Sequence, residues 1–142
     1  MKVILCIDDQ GGVRFAGHRL TQDRLQRQDV IKRYRSAGFC MKKETASLYG
    51  LEESEKIHYV HDWNEARSYE GWWICEDVAF LRWIDQLEEL VLYRWNRRYP
   101  SDERFQMSMV LPLWRCVDQY RLEGSSHAEI SVEHYVRGER EQ

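Results

Sequence analysis

The apolar positions of the chain fall into short runs that predict strands. Lys2 to Ile7 and Trp72 to Cys75 are continuously apolar, which is typical of strands buried on both faces of a sheet. Polar and apolar residues alternate in Lys56–Val60, in Leu87–Trp95 and in Ser131–Tyr135, as expected for strands with one solvated face. We interpret Phe39–Met41 as a short strand and Met107–Arg115 as a late β segment. The segment Val13–Arg19 is interpreted as irregular.

Helices are predicted between the strands. Thr21 is expected to cap the first helix, with Asp23 in its first turn and Gly38 at its end. A second helix is expected over Lys42–Tyr49 and a third, shorter one over Glu76–Trp83. Because helices alternate with strands early in the chain and antiparallel strands follow late, we expect one α/β domain over residues 1–142, with a three-layer mixed sheet flanked by helices.

Composition supports a folded domain and argues against a membrane protein. The chain has 142 residues, of which 43% are hydrophobic, with six Trp, eight Tyr and only two Pro. No apolar run approaches the roughly 20 residues that a membrane helix needs. We therefore expect a cytoplasmic protein with no membrane partner.

Charge is distributed unevenly along the chain. The segment 19–43 has eight basic and two acidic residues, a net +6, whereas the segment 44–89 has three basic and twelve acidic residues, a net −9. The two segments either face each other or form two faces of opposite sign that steer a charged partner.

Four cysteines provide no recognisable metal site. Cys6, Cys40, Cys75 and Cys116 form no C-x-x-C pair, and no His stands at zinc-finger spacing from them. We interpret them as buried free thiols and expect no metal and no cofactor.

The candidate catalytic residues are Asp23 and His127. Asp23 is expected near Asp8 and Asp9 at the carboxyl end of the first strand, where clustered carboxylates either hold Mg²⁺, act as acids and bases, or simply cap a turn and a helix. His127 follows Gly-Ser-Ser and is either a general base or a turn histidine, with no nucleophile evident beside it in the sequence.

Two basic segments are candidates for binding an anionic partner. One is the predicted first helix, on which four cations share much of one face: Arg24, Arg27, Lys32 and Arg35. The other is the segment around Trp95, Arg97 and Arg98, which combines an aromatic ring with positive charge, as in contacts to single-stranded RNA. The alternatives are a solvated helix face and an edge strand that ends in a Pro turn.

Six segments, in the right order, resemble dihydrofolate reductase. The resemblance covers the start of the chain, a Met-x-x-x-Thr segment with Met41 and Thr45 in register, and a turn of the Gly-Asp-x-x-Phe type with Asp102 and Phe105 in register. The segments are "ILCIDDQGGVRFAGHRL", "FCMKKETASLY", "KIHYVHDWNEA", "WWICEDVAF", "LEELVLYRWNRRYPSDERF" and "EGSSHAEISVEHYVR". This resemblance implies a dihydrofolate-reductase-like fold.

The same resemblance indicates that the functional positions have changed. In that family a Gly-Gly pair lets the pyrophosphate of NADPH approach a helix N-terminus, and this chain has Cys75 and Glu76 there. Glu76 and Asp77 would suit the helix dipole themselves and occupy the place of the anion. Lys43 and Thr45 remain as residual cofactor-binding candidates. A helix acid that binds the substrate in that family corresponds to either Asp23 or Asp29.

The chain is also similar to a set of short bacterial proteins sometimes named ribonuclease Z. The shared motifs are Asp8-Asp9, Gln22-Asp23-Arg24, the segment 95–102 and Gly124-Ser125-Ser126-His127. The zinc enzyme of that name needs a His-x-His-x-Asp-His cluster. Here His58 and His61 are three apart, followed by Asp62, and nothing completes the set.

Three functional hypotheses follow, and the leading one is not an enzyme. It is a binding or inhibitory protein on a degenerate reductase scaffold, with a protein or ribonucleoprotein partner, as for an anti-CRISPR inhibitor of a host defence nuclease carried by a mobile element. The second is an RNA-acting, ribonuclease-like enzyme that uses Asp23 or His127 with the arginines. The third is a divergent NADPH-dependent reductase.

Overall fold

The structure, a computed structural model, describes residues 1–109 and 114–138. Within these ranges the main sheet has seven strands in the order β5-β4-β6-β1-β7-β10-β9. Its strands are β1 (Lys2–Ile7), β4 (Phe39–Met41), β5 (Ile57–Tyr59), β6 (Trp72–Cys75), β7 (Glu89–Arg94), β9 (Trp114–Leu122) and β10 (Ile130–Arg137). This mixed sheet confirms the predicted α/β architecture.

Parallel strands form one half of the sheet and an antiparallel hairpin extends the other. β1 pairs in parallel with β6 and β7, and β4 pairs in parallel with β5 and β6. β10 pairs antiparallel with β7 and with β9. The carboxyl ends of β1, β4, β6 and β7 therefore lie along one edge, which is where α/β sheets commonly bind ligands.

The segment predicted to be irregular over Val13–Arg19 is a β-hairpin. β2 (Gly12–Phe15) pairs with β3 (His18–Arg19) and with β8 (Glu103–Arg104) in a separate three-stranded sheet. The turn residues Ala16 and Gly17 both have positive φ, 50° and 78°, which suits a two-residue hairpin loop. Because alternation in so short a hairpin covers few residues, the sequence pattern did not indicate it.

The first helix begins two residues later than predicted. α1 covers Arg24–Tyr34, and its N-cap is Asp23, whose side chain accepts a hydrogen bond from the Gln26 backbone N–H. Thr21 is therefore not the cap, since the cap requires a side-chain acceptor that reaches the first-turn amides. α2 covers Lys43–Tyr49 and ends at Gly50, where φ is 67°.

The region after β6 is 3₁₀-helical and starts later than the predicted helix. A 3₁₀ segment covers Ala79–Gln86, with a break at Trp83, instead of a helix over Glu76–Trp83. Another 3₁₀ turn covers Trp63–Ala66, with Asp62 as its N-cap. Glu76 and Asp77 therefore precede the helical residues, and the expected role of Glu76 in stabilising a helix dipole is wrong.

The predicted strand over Met107–Arg115 is replaced at its start by a 3₁₀ turn. That turn covers Met107–Met109, and β9 begins at Trp114. The rest of the prediction, residues 110–113, lies outside the described residues.

Two apolar clusters fill the space on opposite faces of the sheet. Val30 of α1 and Ala46 of α2 pack on one face, against Ile4, Ile74 and Val91. The 3₁₀ segments pack on the other face, where Trp63 and Phe80 meet a core that includes Leu5, Trp73 and Leu90. This arrangement gives three layers, with α1 and the 3₁₀ segments on opposite sides. No helix among the described residues is both long and apolar enough to span a bilayer.

Candidate functional site

Glu76 lies at the carboxyl edge of the sheet and binds two donors from other elements. Its carboxylate forms two bonds with the Arg19 guanidinium, at 2.5 and 3.0 Å. The Thr45 hydroxyl of α2 donates to the same carboxylate at 2.7 Å. The hydrogen bond to Glu76 raises the pKa of Arg19, against the opposing effect of burial. The paired geometry is the strong form of an Arg–carboxylate contact.

Asp77 satisfies a second group of donors beside Glu76. It accepts a hydrogen bond from the Ala79 backbone N–H at 2.9 Å and forms an ion pair with Lys42 at 3.2 Å. Arg14 of the β2–β3 hairpin donates to the Glu76 backbone carbonyl at 3.1 Å. The two acids therefore engage the cations and hydroxyl that face this edge.

Two cavities of very different size meet at Arg19 and Glu76. The larger is an open groove of about 1150 Å³, whose lining includes Lys43, Thr45 and Trp63. The smaller, about 30 Å³, is lined mainly by apolar side chains such as Ile4, Leu20 and Ile74. A space of that size holds about two water molecules, so it does not admit a bicyclic ring.

Several donors at this edge that could meet a phosphate are engaged within the protein. Arg19 and Thr45 are both bound to Glu76. Cys75, which precedes Glu76, is buried. Of the residual candidates, Thr45 is engaged by Glu76, and Lys43 is exposed on the rim of the groove.

The structure brings the two candidate catalytic residues together. The His127 Nδ1 atom lies 3.1 Å from Asp23 Oδ2, and both side chains are at least 98% buried. Oδ2 also accepts hydrogen bonds from the backbone N–H groups of Ser126 and His127, while Oδ1 accepts from those of Gln26 and Ser125. The Asp23 carboxylate therefore caps α1 and also accepts hydrogen bonds from the backbone of the loop 124–127.

The hydrogen bonds to Asp23 keep its carboxylate ionised. Burial opposes ionisation, but the backbone N–H groups of Ser126, Ser125 and Gln26, together with the His127 side chain, outweigh it and lower the pKa of Asp23 well below its ordinary value. A carboxylate held in this way is a poor proton acceptor at neutral pH.

His127 is enclosed by two aromatic residues from the segment that follows β7. Tyr99 Oη lies 3.0 Å from His127 Nε2, and the Trp95 ring stacks on the imidazole at 4.6 Å between centroids. In the neutral tautomer that donates Nδ1–H to Asp23, Nε2 would accept from the Tyr99 hydroxyl. Both ring nitrogens are therefore engaged inside the protein.

The close packing around Asp23 explains why residue 124 is a glycine. A Cβ atom at Gly124 would collide with the Asp23 carboxylate and lie 2.6 Å from the His127 carbonyl oxygen. Glycine is therefore required by close approach at this position.

The predicted aspartate cluster is divided into separate sites. Asp8 is buried and accepts from the backbone N–H groups of Gln10, Gly12 and Tyr99, whereas Asp9 is exposed. Among the described residues, no group of three or more His, Cys, Asp or Glu side chains has the arrangement of a metal site. All four cysteines are free, as predicted, but only Cys40 and Cys75 are fully buried; Cys6 is half-buried and Cys116, on β9, is exposed.

Asp29, the other candidate for the substrate-binding acid of the reductases, also points into the protein. It accepts from the hydroxyls of Tyr93 and Tyr120, at 2.7 and 2.5 Å, and pairs with Arg33. Neither Asp23 nor Asp29 lines either cavity described above.

The candidate partner-binding residues divide by exposure. Arg24, Lys32 and Arg35 on or next to α1 are exposed, as are Arg97 and Arg98, while Arg27 is half-buried and donates to Gln22. Trp95 is buried, and β7 lies inside the sheet, so the interpretation of this segment as an edge strand is wrong.

Sequence reasoning missed Arg19 and Tyr99 as members of these sites. Each depends on a contact between distant segments, Arg19 with Glu76 and Tyr99 with His127. The motifs shared with the short bacterial proteins gave an indirect signal of the second site, because two of them, residues 95–102 and 124–127, meet around Asp23 and His127.

The fold matches that of a solved enzyme over almost its full length. The structure resembles dihydrofolate reductase from Enterococcus faecalis, solved as a complex with NADP(H) and RAB-propyl, with a TM-score of 0.66. The match has 16% sequence identity and covers 97% of this chain and 96% of that one. The chain therefore has a dihydrofolate-reductase-like fold, and identity this low shows the fold alone. No protein-family model matches the chain, and no curated protein matches it by sequence.

Proposed function

We propose that this protein is a binding protein on a dihydrofolate-reductase-like scaffold and that it does not act as a reductase. The observation that carries the proposal is the bonding of Glu76. Its carboxylate binds the Arg19 guanidinium and the Thr45 hydroxyl, two of the donors that line the large groove. The small volume of the adjacent apolar cavity, about 30 Å³, supports the same proposal.

The partner that we propose is a ribonucleoprotein. Exposed arginines at the start of α1 and after β7 are brought to the same end of the sheet, because Ser125 Oγ accepts from the Arg24 backbone N–H while Tyr99 contacts His127. Arg97 and Arg98 precede Tyr99 and are exposed. A rigidly supported group of arginines suits phosphate contacts. The specific role that we propose for testing is inhibition of an RNA-containing defence nuclease.

A ribonuclease-like activity is the second candidate, and the Asp23–His127 pair is what favours it. An Asp-oriented histidine is a common acid–base device. Burial and full hydrogen bonding of both residues weigh against it, since a general base must reach its substrate.

Affinity capture with matched variants tests the binding role. The tagged protein is incubated with lysate of the source cell, with and without ribonuclease treatment, beside a variant carrying Arg24→Gln, Arg97→Gln and Arg98→Gln. A control variant carries Arg82→Gln, Arg104→Gln and Arg115→Gln, which removes the same charge at other exposed positions. The proposal expects a ribonuclease-sensitive complex with the wild type and the control, and none with the first variant.

Two results would contradict the proposal. One is equal capture by all three proteins, and the other is RNA cleavage by the purified chain that His127→Ala abolishes without unfolding the protein.

A further inference from the structure

The outer face of α1 forms a ridge of cations that the structure leaves without ion pairs. Arg24, Lys32 and Arg35 are exposed, and no carboxylate pairs with any of them among the described residues. We call these three residues the α1 ridge. Their spacing places Arg24 and Lys32 on one side of the helix, opposite Gln26 and Val30, which are buried, and Arg35 continues that side at the C-cap.

The acids of the same segment point away from the ridge. Asp23 is buried in its contacts with the loop 124–127, and Asp29 accepts from Tyr93 and Tyr120. A helix segment with two acids therefore presents an outer face whose charges are all positive.

Several exposed acids lie on the opposite layer. Exposed acids flank or belong to the 3₁₀ segments on the other face of the sheet: Asp62, Glu65, Glu70, Asp85 and Glu88. The separation of charge is partial, since Glu44 of α2 is exposed on the same side of the sheet as α1, and Arg67 and Arg82 are exposed at the 3₁₀ segments. The α1 ridge itself would attract a polyanion.

The shape of the ridge favours a duplex over a single strand. Single-stranded sites combine a groove with exposed aromatic rings. The only aromatic residue of α1, Tyr34, packs against Trp72 with 4.7 Å between the ring centroids. A convex helix instead suits a duplex groove, because the major groove of B-DNA is about 12 Å wide and admits an α-helix.

The length of the ridge matches contacts to two phosphate strands. Arg24 and Arg35 are eleven residues apart, or about 16 Å along a helix axis. This span exceeds the groove width of about 12 Å, so the cations at its two ends can reach the phosphates on both sides.

From these observations we propose that the α1 ridge binds the phosphate backbone of a duplex nucleic acid. The proposal rests on the proposed function, because it assigns a surface to the nucleic-acid part of the partner. Contacts to phosphates carry affinity and orientation without reading sequence. Phosphate contacts are available on duplex RNA and on duplex DNA, although only B-DNA has a major groove of the width used above, and the experiment distinguishes the two duplexes.

Fluorescence anisotropy with defined probes tests the ridge without any partner protein. The purified chain is titrated into labelled 20-base-pair RNA and DNA duplexes, a 20-nucleotide single-stranded RNA, and a polyglutamate peptide, at salt concentrations from 50 to 300 mM. The ridge variant carries Arg24→Gln, Lys32→Gln and Arg35→Gln. The control carries Arg82→Gln, Arg104→Gln and Arg115→Gln, and circular dichroism melts check that both are folded.

The expected result is duplex binding that weakens with salt and depends on the ridge. We expect a dissociation constant of about 10⁻⁵ M or tighter for one duplex at 50 mM salt, and at least a tenfold loss in the ridge variant. The slope of log K against log salt should fall by about 3 in that variant and stay unchanged in the control.

Several outcomes would overturn the assignment. They are absence of duplex binding at 50 mM salt, equal losses in both variants, or tighter binding to the single strand or to polyglutamate than to either duplex. Binding of NADPH by the chain would contradict the proposed function while leaving the duplex result standing, so the two failures are distinguishable.

Discussion

The Asp23 carboxylate and the His127 imidazole meet at 3.1 Å inside the protein, between the start of α1 and the loop that joins β9 to β10. Three backbone N–H groups of that loop point at the same carboxylate, from Ser125, Ser126 and His127. The pair is therefore a connection between segments about one hundred residues apart, and it supports the arginines on both sides of it.

Replacing Asp23 by Asn should destabilise the fold strongly. The Asn amide would place N–H donors against the N–H groups that now bind one of the carboxylate oxygens, so at least one buried donor would lose its partner. We expect the free energy of unfolding to fall by about 2–4 kcal/mol in urea titrations. Asp62→Asn, at the cap of a 3₁₀ turn with one such bond, should cost less than about 1 kcal/mol. Equal losses would contradict the account.

The same carboxylate should make stability depend on pH in acid. Because the pKa of Asp23 is lowered in the folded state, its contribution is fully present above the ordinary Asp pKa of about 3.9 and is lost as the pH falls toward the folded value. Urea unfolding of the wild type between pH 2 and 7 should show this loss below about pH 4. The Asp23→Asn variant should show a flatter profile over the same interval, and parallel profiles would argue against the assignment.

Removing the Tyr99 hydroxyl should weaken the enclosure of His127. Tyr99→Phe leaves His127 Nε2 without its 3.0 Å partner while keeping the ring. We expect a loss of about 1–3 kcal/mol in unfolding free energy. Tyr59→Phe is the control, since its hydroxyl donates to the Leu51 carbonyl at the far side of the sheet and its loss should leave the Trp95 emission unchanged. In Tyr99→Phe, by contrast, emission from Trp95 stacked on His127 should shift.

Glu76→Gln should weaken the contact between Glu76 and Arg19. The Arg19–Glu76 pair is partly buried, with side chains 34% and 18% exposed, whereas the Arg121–Glu129 pair is 75% and 52% exposed. We expect Glu76→Gln to reduce the free energy of unfolding by about 1–2 kcal/mol and Glu129→Gln by less than about 0.5 kcal/mol. A cycle with Arg19→Gln should show that most of the loss belongs to the pair. Independent, additive effects would show that the pair contributes little.

Much of the fold could be predicted because its central strands are continuous apolar runs. Lys2–Ile7 and Trp72–Cys75 are strands as predicted, and they pair with each other in parallel. The hairpin over residues 12–19 could not be predicted, since its strands are four and two residues long and its partner, β8, lies about ninety residues away. Local patterns carry no information on such a pairing.

The candidate sites were predicted only in part, because their contacts also join segments that are distant in the sequence. Asp23, His127 and Glu76 were singled out from turns, motifs and resemblance, but their partners come from distant segments. The cap also shows how two local signals compete, because Thr21 and Asp23 are both good N-caps and only the loop 124–127 makes Asp23 the better one.

Titration with NADPH tests whether the large groove admits the nicotinamide cofactor. Trp63 lines the large groove and Trp73 stacks on it at 5.1 Å, so intrinsic tryptophan fluorescence should report a nicotinamide cofactor that enters there. We expect no saturable quenching of the wild type up to about 1 mM NADPH, beyond the inner-filter effect measured with free tryptophan. A variant carrying Cys75→Gly and Glu76→Gly, with the blocking side chains removed, provides the comparison. Saturable quenching of the wild type at micromolar NADPH would contradict the claim that Glu76 closes the site.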